Sequence, residues 1–146
     1  MSWTPELEEL ALRKKLSLTM GGEDKVKRQH DNGKLTVRER IDQLVDPQTF
    51  REVGGLAGSA TYDSDGKLMS VMPSNVIIGR AQINQRPIVL VGDDFTVRGG
   101  ANDGAVGDKM IFAEQMACDL RLPLVRLIDG TGGGGSVKNI EKMGHA

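Results

Sequence analysis

The chain has 146 residues, a length that indicates one domain. Its net charge of −1 comes from 19 Lys and Arg against 20 Asp and Glu, so bulk charge favours neither nucleic acid nor a membrane. A single cysteine excludes an internal disulfide, and two distant histidines predict no metal site. With an acidic N-terminus, no transit peptide and no apolar membrane span, we expect a cytoplasmic protein. The mitochondrial matrix is the alternative for a eukaryotic chain.

A charged helical arm is predicted over residues 1–46. Thr4 is expected to cap the first helix. The polar stretch 23–32 is expected to form a second helix only if it packs against another element. Thr36 with Glu39 three positions on is a capping box, which predicts the start of a third helix. The arm has few apolar residues, so we expect it to pack on another domain or subunit.

From residue 47 the pattern changes to that of an α/β domain, predicted over residues 47–146. Strands are predicted at residues 50–53, 56–62, 75–83, 87–91 and 124–128. The apolar run 88–91 is typical of a strand covered on both faces, and residues 84–87 indicate a hairpin turn before it. A helix over 104–121 and a last one from Ser136 complete an α/β order with mixed strand pairing.

Glycine supplies 19 of the 146 residues, about twice its usual share. Seven of them lie in two loops that follow predicted strands, Gly99-Gly100 and residues 130–135. Backbone without a Cβ can approach a ligand closely, and one N–H from each loop could hold a carbonyl oxygen as an enolate. The glycines could equally serve only to make tight turns.

The second loop also fits a nucleotide-binding pattern. Gly130, Gly132 and Gly135 read G-x-G-x-x-G after a strand and before a helix. An acidic residue about 20 positions later is part of that fingerprint, and the sequence given ends at Ala146. Nucleotide binding at residues 130–135 therefore stays as an alternative.

Several motifs in one order resemble a known family. They are Gly-Lys-Leu-Thr-Val-Arg-Glu-Arg-Ile at 33–41, Phe50 with Glu52, Gly79-Arg80, and Asp-Phe-Thr-Val-x-Gly-Gly at 94–100. Together they resemble the carboxyltransferase (beta) subunits of biotin-dependent acyl-CoA carboxylases of the propionyl-CoA, methylcrotonyl-CoA and acetyl-CoA types. The similarity runs from about residue 7 to residue 135. It implies a crotonase-like fold of ββα units, of which this chain is the incomplete N-terminal part.

The resemblance implies an enzyme part that binds acyl-CoA. In the implied reaction, a carboxyl group would move from carboxybiotin to the α-carbon, or the vinylogous γ-carbon, of the acyl group. This step would be the transferase half-reaction of a ligase holoenzyme. The oxyanion donors would be the N–H groups of Gly100 and of Gly132 or Gly133. The implied partners are acyl-CoA, a biotin carboxyl carrier with its biotin carboxylase subunit, and further copies of the chain. The isolated 146 residues are expected to be inactive.

Substrate contacts are assigned to five residues. Lys34, Arg38 and Arg98 are candidate partners for the phosphates of CoA, because Arg offers a two-pronged fork and Lys a point charge. Gly99 and Ala101 flank the first oxyanion donor. For each cation the alternative is a solvated surface charge.

The sequence also predicts the surroundings of Asp129 and Cys118. Asp129, at the end of the last predicted strand, is expected to accept N–H bonds and order the second loop. Cys118, among apolar neighbours on the long helix, is expected to be buried and inert. A non-catalytic interaction fragment is a further alternative for the chain as a whole.

Overall fold

A computed structural model describes residues 2–100 and 107–130. Over these residues the helices are α1 (Thr4–Ser17), α2 (Glu23–Asp31), α3 (Val37–Leu44) and α4 (Gly107–Leu120). The strands are β1 (Arg51–Val53), β2 (Gly58–Tyr62), β3 (Leu68–Pro73), β4 (Val76–Ile83), β5 (Arg86–Asp93) and β6 (Leu124–Leu127). A 3₁₀ turn, Arg98–Gly100, follows β5. Within the described ranges no helix is both long and apolar enough to cross a bilayer.

A four-stranded sheet organises the domain in the order β1-β4-β5-β6. The β1–β4 and β4–β5 pairs are antiparallel, whereas β5 and β6 run parallel, with Leu90 opposite Val125. The predicted mixed pairing is thus confirmed. Because β5 and β6 are parallel neighbours, their carboxyl ends lie side by side at one edge of the sheet.

The predicted hairpin between β4 and β5 is confirmed, but two residues close it rather than the four at 84–87, because Arg86 and Pro87 already pair with β4. Ile83 pairs with Arg86, and Asn84 and Gln85 both adopt left-handed conformations with φ of 50° and 63°. Such a turn matches the twist of the flanking strands. The carboxylate of Asp46 accepts the N–H groups of Asn84 and Gln85 at 2.9 and 2.7 Å, so the end of the arm ties down the hairpin.

Strand β5 is covered on both faces, as its apolar run predicts. Ile88 and Leu90 pack on the α3 side, while Val89 and Val91 pack on the α4 side. Val89, Leu90 and Val91 are fully buried. Helix α3 contributes Val37 and Ile41 on one side, together with Val45 directly after it, and α4 contributes Ala113 and Ala117 on the other. The sheet is therefore the middle layer between two helical layers.

A separate two-stranded sheet, β2 with β3, contains a strand that the sequence pattern did not reveal. Its turn is formed by Gly66, at φ +77°, and by the Asp63 carboxylate, which accepts two backbone N–H groups. Strand β3 ends in Pro73 and only its Leu68 is buried, so it lacks the apolar alternation that marks a core strand. Helix α1 packs against β3.

The helical arm packs on the rest of the same chain. Helix α3 enters the main core, and α1 covers β3, while the division of the chain at residue 46 stays a prediction. The predicted cap of α1 is wrong. The N-cap residue is Trp3, and the Thr4 hydroxyl bonds the Ser2 hydroxyl rather than a backbone N–H of the helix.

The capping box of α3 is confirmed. Thr36 Oγ1 accepts the Glu39 N–H at 3.3 Å, and the Glu39 carboxylate accepts the Thr36 N–H at 2.7 Å. Hydrogen bonds from His30 and Thr36 lower the pKa of Glu39 to about 2. The box fixes the start of the helix that closes one side of the core.

We expect Thr36→Ala to lower the free energy of unfolding by about 1 kcal/mol, because the Glu39 N–H loses its buried acceptor. Thr4→Ala is the matched control at the start of α1, where no side-chain cap exists, and we expect a change below about 0.5 kcal/mol. Urea unfolding of the two variants measures both values. Equal losses would contradict the assignment of the caps.

Candidate functional site

The site begins where β5 ends, at the buried carboxylate of Asp94. Its Oδ1 accepts the Thr96 backbone N–H at 2.9 Å and the Thr96 hydroxyl at 2.6 Å, which closes a tight turn. Burial raises the pKa of Asp94, and the two bonds from Thr96 oppose that shift. The Asp and Thr of the Asp-Phe-Thr-Val motif thus shape the turn that leads into the first glycine loop.

Thr96 also joins this turn to the helical arm. Its Oγ1 accepts the N–H of Gly21 at 2.9 Å, so a chain of hydrogen bonds runs from Gly21 through Thr96 to Asp94. A Cβ at Gly21 would overlap the Thr96 carbonyl oxygen, so glycine is required for this approach. The junction of α1 and α2 is therefore fixed against the end of β5.

The first glycine loop is a left-handed turn. Arg98, Gly99 and Gly100 have φ of 54°, 66° and 63°. Glycine adopts this conformation without cost, whereas Arg98 carries a strain of roughly 1 kcal/mol. The Gly100 N–H, a predicted oxyanion donor, donates to the Val97 carbonyl at 3.1 Å in this structure.

Gly100 of the first glycine loop lies against the start of the second loop. A Cβ built on Gly100 would overlap the carbonyl oxygen of Asp129 and lie 3.1 Å from Cα of Gly130. The parallel pairing of β5 and β6 is the cause, since both loops leave the same edge of the sheet. Ala101, Gly132 and Gly133 lie outside the described residues, so their predicted roles stay predictions.

Asp129 holds the start of the second loop against the arm. Its carboxylate accepts Gln29 Nε2 at 3.0 Å and Lys34 Nζ at 3.2 Å. Lys34 Nζ also lies 5.2 Å from the centre of the Phe95 ring, a cation–π distance. Asp129 thus accepts side-chain N–H groups, and Lys34 contacts the residues that precede both loops, Phe95 and Asp129. Phosphate binding by Lys34 stays a prediction.

Arg38 lies beneath the site in a half-buried ion pair. Its Nη1 and Nη2 donate to the Glu52 carboxylate at 2.9 and 3.3 Å. Burial lowers the pKa of the neighbouring Lys109, and Glu52 partly opposes that shift. These side chains and Asp94 line a cavity of about 10 Å³, the room of about one water molecule. The structure thus shows Arg38 bound to Glu52, and its phosphate role stays a prediction.

A cleft of about 310 Å³ separates α2 from the residues before the first glycine loop. Its walls include Lys25, Arg28, Asn32, Phe95, Arg98 and Gly99. Arg98 was a predicted substrate contact, whereas Lys25 and Arg28 were not. The missed signal is their spacing on α2, because residues 25, 28 and 32 share one helix face.

The expectation that Cys118 is buried is wrong. Ala113 and Ala117 form the buried face of α4, so the next residue along the helix, Cys118, points outward and is exposed. His30 lies at the surface, bonded to Glu39 at 2.9 Å. Within residues 2–100 and 107–130, no three His, Cys, Asp or Glu side chains form a group that could hold a metal ion.

Comparisons with known proteins agree with this arrangement. The family described as "Carboxyl transferase domain" matches residues 28–146. The chain is 34% identical over 127 residues to the methylmalonyl-CoA carboxyltransferase 12S subunit of Propionibacterium freudenreichii, covering 86% of this chain and 24% of that protein. It is 37% identical over 128 residues to the mitochondrial methylcrotonoyl-CoA carboxylase beta chain of Arabidopsis thaliana, covering 86% and 21%.

A solved structure is similar over nearly the whole chain. The crystal structure of transcarboxylase 12S, a hexamer with methylmalonyl-coenzyme A and methylmalonic acid bound, has a TM-score of 0.77 at 30% identity. The match covers 99% of this chain and 28% of that one. The chain spans about a quarter of the length of the curated relatives it matches.

The mixed sheet with two loops at adjacent strand ends is part of a crotonase-like α/β fold, as the sequence resemblance implied. The chain belongs to the carboxyl transferase domain family, whose members include the beta subunits of biotin-dependent acyl-CoA carboxylases.

Replacing Gly100 with Ala tests the contact between the loops. Gly66→Ala is the matched control, since Gly66 also has a positive φ but a Cβ there meets nothing within 4 Å. We expect the control to lose about 1 kcal/mol of unfolding free energy from backbone strain alone. Gly100→Ala should lose about 1–3 kcal/mol more, because its Cβ overlaps the Asp129 carbonyl. Equal losses in urea unfolding would contradict the contact.

Proposed function

We propose that this chain is the acyl-CoA-binding part of a biotin-dependent carboxyltransferase. In the reaction, a carboxyl group is transferred from carboxybiotin to the α-carbon, or the vinylogous γ-carbon, of an acyl-CoA. The observation that carries the proposal is the approach of Gly100 to the start of the second loop at Asp129 and Gly130. Family membership and the methylmalonyl-CoA bound in the similar 12S structure support it.

The role of the two loops is to hold the thioester oxygen. When the α-carbon loses its proton, negative charge moves to this oxygen, and backbone N–H donors that already point there stabilise it. Each such donor is typically worth about 2.7 to 4 kcal/mol in the transition state. We assign one donor to Gly100 and the other to Gly132 or Gly133, with Gly99 and Ala101 flanking the first.

The Gly100 N–H becomes a donor to substrate by exchanging its present partner. It now closes a 3₁₀ turn to the Val97 carbonyl at 3.1 Å, and hydrogen bonds of this kind have poor geometry. An enolate oxygen carries more negative charge than a peptide carbonyl and is the stronger acceptor. We therefore expect the exchange to be driven by the charge that develops during the reaction.

Lys34 and Gln29 protect that charge from a neighbouring carboxylate. Asp129 precedes the second loop, and its bare negative charge would repel an enolate held there. Its two oxygens are instead bound by Lys34 and Gln29, and only 18% of its side chain is exposed. Lys34 itself remains about half exposed, so a phosphate contact is open to it as well.

Carboxybiotin, when a biotin carboxyl carrier delivers it, supplies the activated carboxyl group. Carboxybiotin is an anion because of its carboxylate, so the cations of the described cleft do not distinguish it from a phosphate. We therefore assign it no contact among the described residues. A biotin carboxylase subunit and further copies of the chain complete the proposed assembly, and we expect little turnover from the 146 residues alone.

Calorimetric titration of the 146-residue chain tests the proposal. We expect propionyl-CoA to bind and NAD not to bind. Binding of NAD without binding of propionyl-CoA would instead support the nucleotide-binding alternative at residues 130–135. Absence of binding to all these compounds would contradict the proposal and favour a non-catalytic interaction fragment.

A further inference from the structure

Four charged side chains line the small cavity that Arg38 and Asp94 share. They are Arg38 of α3, Glu52 of β1, Asp94 after β5 and Lys109 of α4. Two are basic and two are acidic, so the formal charges of this cluster balance. Asp94 is the most deeply buried of the four, with only 1% of its surface exposed. A carboxylate at this depth needs nearby positive charge and hydrogen bonds to offset its lost hydration.

The carboxylate of Asp94 shapes the start of the first glycine loop. Its Oδ1 accepts both the backbone N–H and the hydroxyl of Thr96, and the oxygen of that hydroxyl accepts the N–H of Gly21. Next along the chain, the N–H of Gly100 donates to the Val97 carbonyl at 3.1 Å. The direction of the Gly100 N–H, a proposed oxyanion donor, therefore depends on a turn that Asp94 closes.

Both bonds from Thr96 are stronger when Asp94 is ionised. A charged carboxylate is a better acceptor than a neutral carboxyl group, whose proton needs an acceptor of its own. Burial raises the pKa of Asp94 and favours the neutral form, while the bonds from Thr96 and the charge of Arg38 lower that pKa. Arg38 thus acts on the carboxylate that holds the turn.

Arg38 is held in place beside this carboxylate. Its Nη1 and Nη2 donate to Glu52 at 2.9 and 3.3 Å, and two such bonds fix the orientation of the guanidinium. The cavity that Arg38 and Asp94 share measures about 10 Å³, which leaves little solvent between them to screen their attraction.

We propose that Arg38 is a positioning residue for the first oxyanion donor: its guanidinium balances the buried charge of Asp94, so that Asp94 holds the turn that orients the Gly100 N–H. The inference rests on the proposed function, in which Gly100 binds the thioester oxygen. It gives Arg38 a task away from the phosphates of CoA, to which the sequence assigned it. Moving Arg38 to a phosphate would leave the Glu52 carboxylate without its partner.

The other charged groups around Asp94 determine the sign of each test. Glu52 shares the charge of Arg38 and adds a negative charge of its own, whereas Lys109 adds a positive one. The charge of Asp129, after β6, raises the pKa of Asp94. Removing the charge of Arg38 should therefore make Asp94 easier to protonate, and removing that of Glu52 should make it harder.

A pH titration of the ¹⁵N–¹H spectrum of the 146-residue chain tests the inference. The Thr96 amide donates to Asp94 and reports its protonation, while the Gly100 amide reports the donor. We expect both amides to shift with one midpoint as the pH falls. Arg38→Met should move that midpoint to higher pH, and Glu52→Gln should move it to lower pH. Arg38→Lys keeps the charge and should titrate close to the wild type.

Two control variants assign the titration. Arg40→Met is the matched control and should titrate like the wild type, because Arg40 lies on the same helix but does not line the cavity. Asp94→Asn replaces the carboxylate with a neutral group of similar shape, so it should abolish the titration.

A pH between the midpoints of the wild type and Arg38→Met links the titration to the ligand. At that pH Asp94 is mostly ionised in the wild type and mostly neutral in the variant. Propionyl-CoA should therefore shift the Gly100 amide less in Arg38→Met than in the wild type or in Arg40→Met.

The outcomes separate this inference from the proposed function. If Arg38→Met and Glu52→Gln share the midpoint of Arg40→Met, or if the Gly100 amide does not follow the Thr96 amide, the inference is wrong. A response of Gly100 to propionyl-CoA then leaves the proposed function standing. If propionyl-CoA does not shift the Gly100 amide of the wild type at any pH, both are wrong. Should Arg38→Met fail to fold, Glu52→Gln decides alone, and an unchanged or higher midpoint would overturn the inference.

Discussion

The approach of Gly100 to the carbonyl of Asp129 is the contact on which the candidate site depends. It exists because β5 and β6 are parallel neighbours, so the chain leaves both strands at the same edge of the sheet. Only a residue without a Cβ, and with a left-handed backbone, can occupy that position. The sheet therefore determines where the loops meet, and glycine determines how closely.

The helical arm is attached to the same two strand ends that position the loops. Helix α2 has almost no apolar face and could not stay folded by burying one. It is held at both ends by polar bonds instead, from Gly21 to Thr96 and from Gln29 to Asp129. Each bond reaches one of the two strand ends that lead into the loops. The arm is thus fixed against both strand ends, and its Lys25 and Arg28 line the neighbouring cleft.

Much of this fold was predictable from sequence because it follows from local rules. The apolar run of β5, the capping box at Thr36 and the hairpin at Asn84 and Gln85 each depend on neighbouring residues. Strand β3 was not predicted because it pairs only with β2 and buries little apolar surface. Its packing against α1 is a tertiary contact, which the periodicity of apolar residues does not indicate.

The site was predictable only in part for the same reason. Glycines after two strands indicated two backbone loops, and Gly100 of the first loop does lie against the start of the second. Partners far apart in sequence were not predictable, such as Arg38 with Glu52 or Lys34 with Asp129. Exposed cations cannot be told from bound ones without these partners. That is why Lys25 and Arg28 emerged from the structure alone.

The most direct test of the account observes the backbone amides themselves. In ¹⁵N–¹H correlation spectra of the chain, propionyl-CoA should shift the Gly100 amide and the amides of residues 132 and 133 strongly. CoA without an acyl group should shift them little, because it has no thioester oxygen to accept their N–H groups. A Gly100 amide that does not move, or that moves equally with both compounds, would contradict the claim that the two glycine loops bind the thioester oxygen.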